Sequence, residues 1–171
     1  MRKYLIVLLV PILAVINITG CQQQVTDSVM DVVDQPVTPT KDDPAAYTVA
    51  LVQEAIDLYK SEGKTAIIVH YNDPANIDGQ WYVFITDEND NFLAHAQSPN
   101  LLGTDLKDVV GPGDSTLGVR IAMATTTGTW IDYLWPNPES GENEQKHTWA
   151  IRYDGYLFGS GYYTPIETSS N

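Results

Sequence analysis

The chain has 171 residues, a single cysteine and a formal net charge of -13 at pH 7. That length predicts one domain with tails, long enough to bury a hydrophobic core. The acidic excess argues against nucleic acid and anionic membrane surfaces as partners, because both carry negative charge. One cysteine excludes an internal disulfide, so packing alone must hold the fold.

The N-terminus has the pattern of an export signal. Residues 2–3 are basic, residues 4–16 are apolar, and the sequence ITGC follows at 18–21. The apolar run is shorter than the roughly 20 residues that span a bilayer. The ITGC sequence resembles a bacterial or archaeal lipobox, whose cysteine receives a diacylglycerol and becomes the mature N-terminus. We therefore predict a signal peptide at 1–20 and lipidation of Cys21. The alternative is an ordinary signal or an uncleaved anchor with an incidental cysteine.

Removal of this signal would leave seven basic and 22 acidic residues, a balance of -15. The negative charge of the protein would repel an anionic ligand, so a few well-placed cations must hold such a ligand in its site. Residues 21–43 are polar, contain two prolines and lack sustained periodicity. We predict that they form a flexible tether, which holds the domain away from the lipid surface.

A helix is predicted to begin at Asp43-Pro44, because Asp is a good cap and Pro suits the first helical turn. Apolar residues then keep helical spacing until Gly63. The next segment, 65–71 (TAIIVHY), is ambiguous. Its β-branched content favours a strand, whereas its length and position allow a second short helix.

Two strands are predicted at 80–86 and 91–96, on either side of the turn 87–90. The turn has the alternate Asp and Asn spacing of a calcium loop. However, Phe92 replaces the required glycine and Ser98 replaces the distal glutamate. A solvated hairpin is therefore the favoured interpretation.

A loop is predicted at 98–115 and a short helix carrying Arg120 at 116–126. The stretch 129–163 follows, with three aromatic, β-branched runs separated by Pro, Asn and Gly. That pattern is typical of an antiparallel meander, and Asp154-Gly155 suits a tight hairpin turn. The first of these runs, 129–135, has apolar side chains on both faces. Both faces must therefore be covered by other parts of the chain. We expect a helix on one side of the sheet and loops enclosing a pocket on the other.

Several collinear stretches resemble the single-Cache family, the PAS-like sensor domains that bind small molecules outside the cytoplasm. The matching stretches are 71–74 (YNDP), 81–84 (WYVF), 93–95 (LAH), 102–106 (LGTDL), 128–133 (GTWIDY), 135–138 (WPNP), 145–146 (QK) and 158–163 (FGSGYY). The resemblance implies an α+β fold at 44–164, with a long N-terminal helix, short helices and an antiparallel sheet of about five strands. It also implies that 65–71 is helical, and a disordered tail is expected at 165–171.

The sequence departs from the family in two places. Trp149 stands where relatives have a tyrosine after the lysine, and GPGDSTLG at 111–118 replaces the usual acidic-glycine-aromatic segment. Most relatives also continue into a second membrane helix and a signalling domain. A similar fold therefore does not by itself establish the usual role.

The resemblance implies a pocket for a small carboxylate, which needs a cation and neutral donors in an apolar enclosure. Three cations are predicted to lie on structured elements of the domain: Arg120, Lys146 and Arg152. Arg120 and Lys146 match basic positions of the family. Their alternative role is an ordinary surface ion pair, for example with Asp132 or Glu144.

Five further residues are candidates for the same pocket. His95 matches a family histidine and is a candidate ligand donor or, equally, a structural histidine. Tyr82 belongs to a matching stretch. Trp130, Tyr133 and Trp135 are candidate pocket walls, but for each residue taken alone ordinary core packing is the favoured interpretation.

Catalysis, cofactors and metal ions have little support in the sequence. Cys21 is assigned to lipid, and the three histidines lack metal-ligand spacing. Ser160 between two glycines lacks the context of a nucleophile elbow and indicates a closely packed strand.

We predict a non-catalytic, lipid-anchored domain outside the cytoplasm, attached to the cell membrane or outer membrane. It binds a small organic ligand, with carboxylates favoured, and has a possible signalling partner protein. The alternative is a structural or adhesive envelope lipoprotein that keeps the fold without a ligand.

Overall fold

The computed structural model describes residues 38–166 of the chain. The predicted signal peptide at 1–20, the lipidation of Cys21 and most of the tether lie outside those residues, as do 167–171 of the predicted tail. Within the described part of the chain, no helix is both long and apolar enough to cross a bilayer.

The first helix, α1 (Pro44–Glu62), begins and ends where the sequence predicts. The Asp43 carboxylate accepts a hydrogen bond from the Ala46 amide at 3.0 Å and so caps the first turn. Gly63 follows the last turn with a φ of +81°, a left-handed backbone angle that glycine adopts without strain.

The ambiguous segment 65–71 is helical and lies within α2 (Lys64–Asn72), which confirms what the single-Cache resemblance implied. Ile67 is fully buried in a cluster with apolar residues of α1. The Asn72 amide donates to the carbonyl of Leu93 at 2.8 Å. Tertiary contacts thus override the β-branched composition of this segment.

Five strands form one antiparallel sheet, as predicted. They are β1 (Phe84–Thr86), β2 (Phe92–His95), β3 (Thr129–Pro136), β4 (Asn143–Tyr153) and β5 (Tyr156–Thr164). Their order across the sheet is β2-β1-β5-β4-β3. The segment 98–122, here called the crossover segment, carries the chain from one edge of the sheet to the other.

The strand predicted at 80–86 is shorter in the structure, where β1 begins at Phe84. Side chains replace part of the backbone pairing. The Gln80 side chain accepts a hydrogen bond from the Tyr163 amide at 2.6 Å, and the Ser160 hydroxyl donates to the carbonyl of Tyr82 at 2.9 Å.

Both predicted hairpin turns are present. Asp154 and Gly155 have positive φ angles of 50° and 83°, as a tight two-residue turn requires. In the turn at 87–90, one carboxylate oxygen of Asp87 accepts hydrogen bonds from the amides of Asn89 and Asn91, both at 2.9 Å. That oxygen therefore stabilises the hairpin.

The two faces of the sheet have different cover, as expected. The helices α1 and α2 pack on one face around a cluster that includes Val52, Ile85 and Phe158. The crossover segment packs on the other face around a second cluster. It contains α3 (Leu117–Ala122), which is shorter than the helix predicted at 116–126. The carbonyl of Ala122, the last residue of the helix, accepts a hydrogen bond from Arg152 of β4 at 2.6 Å.

Trp130 is not a fully buried core residue, because 40% of it is exposed. It lies in the edge strand β3, whereas α1 packs over β4 and β5. Its ring packs against Trp149, with the ring centres 5.4 Å apart, and against Tyr162 at 6.1 Å. The expectation of core packing is therefore wrong for this tryptophan.

Candidate functional site

A row of three long side chains crosses the face of the sheet that the crossover segment covers. The antiparallel register pairs Tyr133 of β3 with Lys146 of β4, and Lys146 with Tyr163 of β5. Residues paired in this way point to the same face of a sheet. The register thus places one lysine between two tyrosines.

The lysine in this row is almost completely buried. Lys146 is only 1% exposed, and its Nζ donates to the hydroxyl oxygen of Tyr82 at 2.6 Å. The same Nζ lies 4.0 Å from the centre of the Tyr82 ring and 5.0 Å from that of Tyr163. The side chain therefore ends in an aromatic enclosure.

In the described part of the chain, no acidic side chain pairs with this lysine. Among residues 38–166, the ion pairs all involve other cations. Burial lowers the pKa of Lys146 well below its ordinary value, because an ammonium loses its hydration there. A buried lysine without a counter-ion is uncommon and costly, which makes this group the leading candidate for ligand contact.

The hydroxyl groups around Lys146 form a directed chain. The Tyr163 hydroxyl donates to the carbonyl of Pro136 at 3.0 Å, so it accepts from the Tyr82 hydroxyl, 3.3 Å away. Burial raises the pKa of Tyr82 and of Tyr163, so both phenols stay protonated and neutral. The chain therefore supplies dipoles but no negative charge.

His95 supplies a neutral donor on the same side of the sheet. The Ser98 amide donates to its Nδ1 at 3.0 Å, which leaves the ring proton on Nε2. Burial, and then the nearby charge of Lys146, lowers the pKa of His95 to about 3. The imidazole is therefore uncharged near neutral pH and carries one N–H donor.

These groups line a small, largely apolar cavity of about 20 Å³. Its walls are Tyr82, Phe84, Phe92, His95, Leu101, Leu106, Val109, Leu117, Ile121, Tyr133, Trp135 and Lys146. A space of this size holds about one water-sized molecule. A larger ligand must displace wall residues, and the crossover segment supplies five of them.

The Single Cache domain 2 family matches residues 50–164. The chain belongs to that family. No curated protein gives a significant match. The five-stranded antiparallel sheet with helices packed against it agrees with that assignment.

Several solved structures share the fold. A methyl-accepting chemotaxis protein from Vibrio parahaemolyticus is 22% identical with a TM-score of 0.58, over 72% of this chain and 87% of that one. The periplasmic sensor domain of a chemotaxis protein is 24% identical with a TM-score of 0.52, over 68% and 87%. A Cache chemosensory domain studied for carboxylic acid recognition is 20% identical with a TM-score of 0.52, over 68% and 90%. Identities this low establish the fold alone.

The Cache domain brings five of the seven sequence-predicted ligand residues to one cavity. These are Tyr82, His95, Tyr133, Trp135 and Lys146. The structure places the other two, Arg120 and Trp130, outside its walls.

Arg120 lies on the outer side of α3, where 43% of its side chain is exposed. Its guanidinium donates to the Asp114 carboxylate at 2.5 Å and to the carbonyl of Asp132 at 2.9 Å. The sequence suggested a surface ion pair with Asp132 or Glu144; the pair exists, but the acid is Asp114, and Asp132 contributes only its carbonyl. The neighbours on α3 that face the cavity are Leu117 and Ile121.

Arg152 belongs to a cluster of ion pairs that links separate elements of the fold. It donates to the Asp90 carboxylate at 2.7 Å, and Lys107 pairs with the other oxygen of that carboxylate at 2.6 Å. Burial raises the pKa of Asp90, but these two cations hold it below its ordinary value. The cluster joins the β1–β2 hairpin to the crossover segment and to β4.

Sequence reasoning missed Tyr163 and most of the apolar wall. A signal for the site was present in Gly161, because a glycine inside a strand often marks close approach of another group. A Cβ at position 161 would lie 2.8 Å from Cε of Lys146 and 2.7 Å from the carbonyl of His147. Gly159 makes room for the ring of Phe84 in the same way. The FGSGYY stretch therefore shapes the space around the lysine.

Metal binding finds no support in the described residues. Across 38–166, no group of three or more His, Cys, Asp or Glu side chains is arranged to hold a metal ion.

Proposed function

We propose that this Cache domain is a non-catalytic binding domain for a small monocarboxylate, acting outside the cytoplasm as a sensor or accessory binding protein. The observation that carries the proposal is the burial of Lys146 with no acidic partner among residues 38–166. A ligand carboxylate would supply the missing counter-ion.

The electrostatic argument concerns the cost of a buried charge. Transfer of an ammonium from water into a protein interior costs several kcal/mol unless an opposite charge and hydrogen bonds compensate. The Tyr82 hydroxyl and ring offer only dipoles. A carboxylate beside Nζ would form a charge-assisted hydrogen bond, and the Nε2–H of His95 is a second, neutral donor on the same cavity wall.

The lining also limits the class of carboxylate. The walls contain one cation and no acidic side chain, so they favour one carboxylate and offer no partner for an amino group. The remaining surface is apolar, which suits a short hydrocarbon tail. Acetate and propionate therefore fit the lining better than dicarboxylates or amino acids.

The proposed location rests on the N-terminal sequence and on the family. The ITGC sequence at 18–21 follows a basic start and a short apolar run. A diacylglycerol on Cys21 would provide two acyl chains, the usual requirement for stable attachment. Replacement of Cys21 by Ser should abolish incorporation of labelled fatty acid and release the protein from membranes. Unchanged labelling would contradict the lipoprotein proposal.

A signalling partner is part of the proposal because the similar chemotaxis proteins are receptors. The alternative is a structural or adhesive envelope lipoprotein that keeps the Cache fold and binds no ligand. Ligand binding separates the two.

The deciding experiment is calorimetry on the full chain in a non-ionic detergent. Acetate and propionate should bind the parent, and Lys146→Met should weaken binding roughly ten- to a hundredfold, because it removes a charge-assisted contact worth ~1.5–3 kcal/mol. Lys60→Met is the matched control, since Lys60 is exposed and pairs with Asp57. Arg120→Ala should bind acetate and propionate with the same affinity as the parent.

Equal affinities for the parent and Lys146→Met would remove the site assignment. An Arg120→Ala protein that binds as weakly as Lys146→Met would show that Arg120 swings into the cavity on binding. No binding of any short carboxylate to the parent would favour the structural alternative.

A further inference from the structure

The Lys146 amine has the environment of a nucleophile as well as that of a cation. Its Nζ is buried, lies against a small cavity with apolar walls, and has a phenolic hydroxyl at 2.6 Å. Lysines desolvated in apolar pockets are the ones that react with carbonyl groups.

We propose that Lys146 forms a reversible imine with small aldehydes or ketones, so that the cavity also captures carbonyl compounds covalently. The inference goes beyond carboxylate binding. It concerns the same cavity but requires the neutral form of the amine, whereas carboxylate binding requires the ammonium.

The surroundings of the amine favour its neutral form. Burial lowers the pKa of Lys146, and no acidic group among the residues that the structure describes opposes that shift. The titratable groups around it are Tyr82 before β1, His95 of β2, Tyr133 of β3 and Tyr163 of β5. Burial raises the pKa of the three tyrosines and lowers that of His95, so all four are uncharged near neutral pH.

The reaction balances without any oxidant or reductant. The Nζ lone pair attacks the carbonyl carbon, the C=O π electrons move to oxygen, and one N–H proton is transferred to that oxygen. The resulting carbinolamine then loses its hydroxyl group together with the second N–H proton, as one water. The Tyr82 hydroxyl, 2.6 Å from Nζ, is placed to donate its proton to the oxygen of the adduct and to take one from the nitrogen in exchange.

The cavity volume selects the size of the carbonyl compound. An imine retains only the carbon part of its ligand, because the oxygen leaves as water. A cavity of about 20 Å³ holds about one water-sized group, so a one- or two-carbon adduct requires the least displacement of the walls.

Reductive trapping tests the proposal. The full chain in a non-ionic detergent is treated at pH 7 with limiting acetaldehyde and sodium cyanoborohydride, which converts an imine to a stable N-ethyl lysine. Peptide mass spectrometry then compares Lys146 with the exposed Lys60 of the same molecules. Lys146 should be labelled roughly tenfold faster or more, because each unit by which a pKa falls raises the neutral fraction of an amine about tenfold.

Three controls make the outcome decisive. In denaturant, the two lysines should react at the same rate, which shows that the preference depends on the fold. Tyr82→Phe should slow labelling of Lys146 while Lys60 reacts as before. Lys146→Arg should lose the fast label. Labelling of Lys146 no faster than Lys60 in the native protein would overturn the proposal.

The trapping experiment is independent of carboxylate binding. Acetate calorimetry on the same preparation measures carboxylate binding, which requires the ammonium form of Lys146. A protein that binds acetate without fast labelling overturns the imine alone, and one that is labelled quickly without binding acetate overturns the carboxylate proposal alone.

Discussion

Nζ of Lys146 lies 2.6 Å from the hydroxyl oxygen of Tyr82 and 4.0 Å from the centre of the same ring. One tyrosine thus provides both a hydrogen bond and an aromatic surface for the buried amine. A cation–π contact contributes about 2 kcal/mol when desolvated, whereas burial of an ion costs several kcal/mol. The ligand-free site is therefore a local destabilisation that an anionic ligand relieves.

The first prediction follows from that imbalance. Lys146→Met keeps the length of the side chain but removes the buried amine, so it should raise the free energy of unfolding by ~1–3 kcal/mol in the absence of ligand. Urea denaturation measures the change, and Lys60→Met should leave stability within about 0.5 kcal/mol. A destabilised Lys146→Met protein would show that the amine is well compensated in the free domain.

The second prediction is that carboxylate binding takes up a proton. Burial depresses the pKa of Lys146 in the free protein, whereas a bound carboxylate favours the ammonium and raises it. Between those two pKa values, affinity should fall up to about tenfold for each unit of rising pH. Calorimetry in buffers with different ionisation enthalpies measures the uptake, which should approach one proton.

Lys146→Arg is the control for that experiment, because a guanidinium stays charged across this range. If this variant binds at all, its affinity should not change with pH. A pH-independent affinity of the parent would mean that Lys146 is already an ammonium when the cavity has no ligand.

The third prediction concerns acid stability. Below pH 6.5 the unfolded chain protonates His95, whereas the folded protein resists protonation until about pH 3. The contribution of the neutral histidine is fully present above pH 6.5 and falls as the pH drops. Between pH 6.5 and 5 the loss should be about 2 kcal/mol, at ~1.4 kcal/mol for each unit. Urea denaturation at several pH values measures the free energy of unfolding. That free energy should decrease less steeply with falling pH for His95→Gln than for the parent.

The fourth prediction separates two apolar residues by their exposure. Trp130 is 40% exposed at the sheet edge, whereas Leu157 is fully buried. Leu157→Ala should cost ~2–5 kcal/mol, because it leaves a cavity in the core. Trp130→Ala should cost about 1 kcal/mol, since neighbouring rings and solvent fill the gap. A larger loss for Trp130→Ala would mean that its contacts with Trp149 contribute more than its exposure indicates.

The sequence by itself determined the local elements. Asp43 and Gly63 mark the ends of α1, and Asp154-Gly155 marks the turn between β4 and β5. These signals could be recognised because capping and left-handed turns depend on residues next to each other in the chain. The two-sided apolar pattern of 129–135 also predicted correctly that both faces of the sheet are covered.

Segment 65–71 shows that local sequence signals do not always determine secondary structure. Its composition fits a strand or a helix about equally, and contact of Ile67 with α1 decides for the helix. Exposure of Trp130 is likewise invisible in the sequence, because it depends on the position of β3 at the sheet edge. Both outcomes follow from neighbours that are distant in the chain.

Only the tertiary structure distinguished Lys146 from Arg120 and Arg152. Each of the three is a cation on a regular element, and nothing local to it reports burial or partners. Arg120 reaches an acid six positions earlier in the chain, and Arg152 reaches Asp90 across the fold. Lys146 is left without an acid because the register of β3, β4 and β5 surrounds it with tyrosines. Charge compensation is a property of three-dimensional neighbours, and a sequence lists cations without showing which of them are paired.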